Sequence, residues 1–240
     1  MQLSAGVHLG LAPNHSSLKN LEFYILVGVT GVGKSTTLEA LHQLGVHFSS
    51  LPDRRVVTDA VIFGGEKISD RESRFERTAT YRQTHPGGMA QALEQIYVAL
   101  AAPILFDGLR GLNEVEYAAK AFPQARFIAL DAPDLTRVER LLGRNDGFDA
   151  VQRRNTNLAQ IAGIENIFSV QEISQLEAIK ADPAELEAKV RIVVTERQNY
   201  DPKAANTFLQ TLEPRRVLYQ DTTLEPADKI AQHIRDWMQT

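Results

Sequence analysis

The amino-acid sequence predicts an α/β fold of three layers, a parallel sheet of about five strands covered by helices on both faces. Three observations predict it. Short apolar, β-branched runs recur along the chain, each closed by glycine or aspartate or followed by a proline, the pattern of strands buried on both faces. Segments with apolar residues at helical spacing separate them, so the connections are crossovers between parallel strands. A glycine-rich loop joins the first run to the first of these helices.

The first run is residues 22–27 (EFYILV), ending at Gly28. From Ser35 the residues Leu38, Leu41 and Leu44 share a helical face, and Gly45 supplies a C-terminal stop. A second extended stretch falls within residues 46–63, where VVTDAVIF carries the β-branched residues and the preceding SSLPDRR reads as a loop. Arg71, Arg74, Arg77 and Arg82 follow, then Thr84-His85-Pro86-Gly87-Gly88 breaks the pattern before a helix with Met89, Leu93, Ile96 and Leu100 inward. The next strand runs from Pro103 to Phe106 and ends at Asp107-Gly108.

Asn113 with Glu116 has capping-box spacing and opens a helix that aligns Val115, Ala119 and Phe122. Arg126 to Leu130 is a strand, and Pro133 begins a helix with Leu135, Val138, Leu141 and Leu142 that ends by Gly143. Residues 145–200 depart from the alternation with two helices, one capped by Ser169 with Glu172, the other by Asp182 with Pro183 and Glu185. A third begins at Asp201-Pro202. The expected organisation is a single domain over 1–240, with a core of about 21–144 and 213–240 and a helical lid or insertion of about 145–211. Arg216 to Tyr219 resumes the sheet, and Pro226 opens a closing helix with Ile230, Ile234, Trp237 and Met238 inward.

With 240 residues, 43% of them hydrophobic, the chain can bury one substantial core. A formal charge of −4 gives no general attraction to phosphate polymers or anionic lipid, so nucleic acid is not the first expected partner. The absence of cysteine removes disulfides, thiol catalysis and thiolate metal sites. The histidines at 8, 15, 42, 47, 85 and 233 show no metal-site spacing. No stretch has the pattern of a signal peptide or the length of a membrane span, and a cytoplasmic protein is expected.

The residues Gly28-Val29-Thr30-Gly31-Val32-Gly33-Lys34-Ser35 fit GxxxxGK[ST], between a strand and a helix as that motif requires. Backbone N–H groups and the helix N-terminus can then converge on phosphates, with glycines at 28, 31 and 33 allowing close approach. The expected ligand is ATP with Mg²⁺. Lys34 would reach the β- and γ-oxygens, Ser35 would ligate Mg²⁺ and Thr36 would contact the α-phosphate. Asp107, at the carboxyl end of a strand, is the second expected carboxylate near Mg²⁺. These features predict a P-loop NTPase fold.

With Asp107-Gly108-Leu109-Arg110 and the arginines at 137, 140 and 144, the chain resembles the nucleoside monophosphate kinase-like P-loop kinases, a group including adenylate, shikimate and dephospho-coenzyme A kinases. The first segment is similar to the adenylate kinase DGFPR sequence but one residue shorter. The resemblance implies lid arginines closing over the phosphates, here Arg140 and Arg144. It implies an acceptor site near Asp59 and the arginine segment, with Arg71, Arg74, Arg82 and Arg110 binding an anion. Asp59 or Asp107 would then receive the acceptor proton. It also sets the base of the donor near Asp221-Thr222-Thr223.

The expected reaction is transfer of the ATP γ-phosphoryl group to a small, anionic metabolite or nucleotide. Two alternatives stay open. One is a polynucleotide or nucleotide-sugar kinase of toxin-like type, with the insertion holding a larger acceptor. The other is a nucleotide-dependent binding or regulatory module with slow ATPase activity. The apolar faces of the inserted helices can pack on their own core or on a second subunit, so a homodimer is also open.

Overall fold

The computed structural model describes residues 1–143 and 158–240, apart from the side chains of Arg71, Glu72 and Phe75. The chain begins with three short strands, β1 (Gln2–Ser4), β2 (Val7–Leu9) and β3 (Ser16–Ser17), before the first strand of the main sheet, β4 (Tyr24–Val27). Helix α1 (Lys34–Gln43) leads to β5 (Ser49–Ser50), α2 (Arg54–Val57) and a single π turn over Thr58–Ile62. Then come α3 (Arg71–Thr84), α4 (Gly88–Leu93), β6 (Ile96–Val98), β7 (Ile104–Leu109), α5 (Leu112–Ala121) and β8 (Arg126–Asp131). Helices α6 (Asp134–Leu142), α7 (Val170–Glu177), α8 (Pro183–Asn199) and α9 (Pro202–Leu209) precede β9 (Val217–Asp221) and α10 (Ala227–Met238).

The main sheet is parallel and five-stranded, in the order β5-β7-β4-β8-β9, as the strand–helix alternation predicts. Strand β4 lies at its centre, and its side chains alternate between two cores. Ile25 and Val27 join Phe106, Phe122 and Phe127 on the face covered by α4, α5 and α9. Tyr24 and Leu26 join Leu41, Ile230 and Ile234 on the face covered by α1 and α10. The chain leaves β4 toward β7 on one side and returns to β8 on the other, which leaves a crevice at the carboxyl end of β4.

A third apolar cluster is separate. Val138 and Leu141 of α6 pack with Ile161, Phe168, Val190 and Val193, so α6 and α8 are held face to face. Among the described residues, no helix is long and apolar enough to cross a membrane.

Several local expectations are corrected. VVTDAVIF is helical, because Asp53 caps Val56 N–H and directs the chain into α2 and the π turn, overriding β-branched propensity. The extended residues are Ser49–Ser50, inside the stretch that reads as a loop. The helix expected to carry Ile96 and Leu100 ends at Leu93. Ile96 pairs with Leu9 and Tyr97 with Ser17, forming an antiparallel sheet β1-β2-β6-β3 that has no counterpart in the sequence reading. Its strands have two or three residues, too few to show a period.

The Asn113–Glu116 capping box is absent. Helix α5 is entered two residues earlier, from Gly111, and turns Glu114 inward. Asp107 and Gly108 lie within β7, where the register with β4 shifts between Leu26–Asp107 and Val27–Leu109. Gly108 is the extra residue, and a side chain there would meet the Phe106 ring at 2.6 Å.

Candidate active site

The loop after β4 curls at the carboxyl edge of the sheet, anchored where Gly28 N–H donates to the Leu109 carbonyl at 3.1 Å. Gly31 and Gly33 have φ of +87° and +95°, a backbone region that favours glycine. Gly33 precedes α1 and no side chain caps the helix, the arrangement in which first-turn donors and the helix dipole receive an anion. Ser35 and Thr36 are exposed on this turn, while Thr37 is buried.

Lys34 folds back over the loop. Its ammonium donates to the Gly28 carbonyl at 2.8 Å and lies 3.8 Å from Asp107 Oδ1. Asp107 Oδ1 is sealed from solvent and has no hydrogen-bond partner, although the side chain as a whole is about a third exposed (37%). Burial pushes the Asp107 carboxyl above its ordinary pKa, against the pull of Lys34 and Arg110. An orphaned carboxylate oxygen beside the ammonium of Lys34, with Ser35 next in the chain and exposed, fits a hydrated divalent cation carrying phosphate oxygens.

Arg140 lies on the far wall of the loop. Its guanidinium donates to the Thr222 hydroxyl at 2.8 Å and the Thr222 carbonyl at 2.9 Å. Thr222 in turn donates to the Val32 carbonyl at 2.8 Å. A cleft of about 380 Å³ opens here between Thr36, Arg140, Thr222, Pro226 and Ile230.

Asp59 and the arginines at 74 and 77 form a local knot. Arg74 is paired with Asp59 and also donates to the Ile68 carbonyl, and Arg77 is paired with Glu66 at 2.6 Å. Both guanidiniums lie 5.0 Å from the centre of the Phe63 ring. Arg74 and Asp59 therefore spend their charge on each other in this state.

Arg82 and Arg110 converge elsewhere. Together with Arg54 they surround the ring of Tyr200, at 5.8, 5.8 and 5.5 Å from its centre. Arg54 is held by buried Glu114 in a two-pronged pair at 2.5 and 2.9 Å. Burial works to raise the Glu114 carboxyl, but Arg54 outweighs it and holds the group below its ordinary value. A second cleft, of about 280 Å³, lies beside this ring, lined by Arg82, Asn113, Glu114, Asn199 and Tyr200. Arg71 opens α3, and its side chain, like the whole of Arg144, lies outside the described residues.

The sequence matches a family described as an AAA domain over residues 25–160, more than half of the chain. The chain belongs to the AAA domain family. Its core has the parallel five-stranded α/β sheet of the P-loop fold that the sequence predicts, with the phosphate loop after the central strand. No curated protein matches. Among solved structures, the chain is similar to shikimate kinase from Acinetobacter baumannii in complex with shikimate (16% identity, 91% of this chain and 93% of that one, TM-score 0.41). It is similar also to deoxyadenosine kinase from M. mycoides with bound dATP (12% identity, 91% and 100%, TM-score 0.40). A third is a sulfotransferase from Alicyclobacillus acidocaldarius (11% identity, 90% and 80%, TM-score 0.40).

Within this AAA domain chain, sequence reasoning misses Arg54, Glu114, Glu196 and Tyr200. It also counts Arg137 with Arg140 and Arg144 among the arginines that carry the kinase resemblance. Instead Arg137 is fully buried and bonds Asp134 and Glu196, each at 2.6 Å, and the Thr30 carbonyl at 2.8 Å. The one available signal was two charged residues, Lys189 and Glu196, seven apart on a helix and so on a shared face with Leu186, Val190 and Val193.

Proposed function

We propose that this chain is an ATP-dependent phosphotransferase that moves the γ-phosphoryl group of ATP to the hydroxyl of a small anionic acceptor. The observation that carries the reading is the facing pair at the mouth of the loop, the Lys34 ammonium and the unpartnered Asp107 oxygen 3.8 Å away. A mere anion-binding loop has no use for a carboxylate whose partial burial works against its charge.

In this reading Gly31 to Thr36 cradle the phosphates, Thr30 being held by Glu196, and the base of the donor occupies the cleft between Arg140 and Thr222. Ser35 and Asp107 would hold Mg²⁺, which when bound neutralises charge on the β- and γ-phosphates. Lys34 exchanges the Gly28 carbonyl for phosphate oxygens and spreads charge as transfer proceeds. The acceptor oxygen forms a bond to the γ-phosphorus while the bond from that phosphorus to the β–γ bridging oxygen breaks. ADP leaves and the acceptor proton passes to a carboxylate, Asp107 being the one beside the reacting groups. Asp59, bound to Arg74, serves only if that pair opens.

The cleft beside Tyr200 is the acceptor site in this reading. Arg82 lines it, and the Glu114 carboxylate on its wall is paired with Arg54. The cavity suits a compact metabolite rather than a polymer. Residues 145–211 are proposed as a lid or insertion on the core, with Arg144 at its start.

The test is ADP formation on a panel of carboxylated and phosphorylated hydroxy metabolites. Acceptor-dependent turnover is expected, with Lys34→Ala reducing it by about 100-fold or more while the protein stays folded. Turnover unaffected by Lys34→Ala would sink the site, and acceptor-independent hydrolysis alone would favour an ATPase module.

A further inference from the structure

Glu196, on α8, lies far from the phosphate loop in sequence and touches it directly. Its carboxylate accepts the Thr30 N–H at 3.0 Å and the Thr30 hydroxyl at 2.6 Å. It also accepts Arg137 at 2.6 Å and Arg110 at 2.8 Å. The side chain is more than nine-tenths buried (8% exposed). Every polar group of Thr30 is thereby engaged, since its carbonyl receives Arg137. One carboxylate thus joins the donor-binding loop to an arginine that stands over Tyr200, a residue that lines the proposed acceptor cleft.

We propose that Glu196 is a positioning residue that sets Arg110 in register with the phosphate loop, so that α8 forms part of the phosphoryl-transfer site. The inference rests on the phosphotransferase reading above. Arg110 extends from the end of β7, three residues after Asp107, on a segment that Gly111 lets pass close to Tyr200. Left to itself, a long arginine side chain at such a place samples many rotamers. The Glu196 oxygen and the Tyr200 ring confine it on two sides. Its remaining N–H groups are left for the oxygens of the group in transit, with part of its charge already balanced. The other Glu196 oxygen fixes the front of the loop through Thr30 and Arg137. Displacement of either end shifts donor against acceptor, and misplacement by about 1 Å costs on the order of 100-fold in rate.

The experiment uses the full chain with MgATP as probe and water as the acceptor, reading nucleotide binding, KM and kcat of hydrolysis for wild type, Glu196→Gln, Glu196→Asp, Arg110→Gln and the double variant. Glu196→Gln keeps the volume and one acceptor oxygen but loses the charge. We expect ATP affinity within about threefold of wild type and kcat lower by about tenfold or more, with the loss in Arg110→Gln of similar size. The double variant is expected to be no slower than Arg110→Gln alone, and Glu196→Asp to recover part of the rate. A purely structural role gives a lower melting temperature with kcat per folded molecule unchanged in every variant, whereas rate losses that multiply in the double variant mean that the two residues act independently. Either result overturns the proposal while leaving the phosphotransferase reading intact. Wild-type protein that fails to bind MgATP overturns both.

Discussion

At the residue scale, Asp107 carries opposed demands. Burial raises its carboxyl above the ordinary value of 3.8, so above that raised value the charged form costs the fold stability. Removing the charge should therefore help the fold and harm the reaction. Asp107→Asn is expected to raise the melting temperature at pH 7, with the gain fading as pH falls through the folded value toward 3.8. Phosphoryl transfer should drop by about 100-fold or more in the same variant. Melts across about pH 3 to 8, together with turnover, check both limbs. Lys34 and Asp107 were legible in the sequence because each is tied to a local pattern, a loop motif or a strand end. Glu196 and Arg54 were not, because their partners lie 166 and 60 residues away and only the folded chain brings them together.

At the scale of elements, α6 presses on the phosphate loop. A Cβ on Gly31 would lie 3.0 Å from the Arg137 carbonyl and 3.1 Å from its Cα, and φ there is +87°. Gly31→Ala is expected to cost about 1–3 kcal/mol of stability and to weaken ATP binding, read by denaturant melts and nucleotide titration. The strands β4, β7, β8 and β9 and the helices around them were legible because each strand is apolar and each helix keeps a 3.6-residue spacing. Residues 56–63 were misread for a physical reason: a β-branched run is ambiguous, and a single aspartate cap decides it. Ile96 shows the converse, since its helical spacing from Leu93 is overruled by pairing with residues near the start of the chain.

At the scale of the molecule, two buried carboxylates join distant parts. Glu114 fastens α5 to α2 through Arg54, and Glu196 fastens α8 to the loop and α6. Burial opposes the charge of each, but the arginines prevail and hold both below their ordinary value of 4.5. A lowered carboxyl stabilises the fold above the unfolded value and loses that contribution as pH falls through the folded one. Acid unfolding should accordingly set in below pH 4.5. Glu114→Ala, which strands a largely buried arginine, should cost about 3 kcal/mol at pH 7 and flatten the acid limb of the stability curve. An unchanged pH profile would contradict the role given to the pair.

The five-stranded sheet was legible at this scale, whereas the small antiparallel sheet was not. The edge of the main sheet has a consequence for behaviour in solution. Its border at β5 is two serines long, and a neighbouring chain meets almost no row of free backbone groups with which to pair. A sheet that is strongly apolar inside is thus closed to recruitment on that side by brevity, without a charged guard residue, and strand-by-strand aggregation finds no template there.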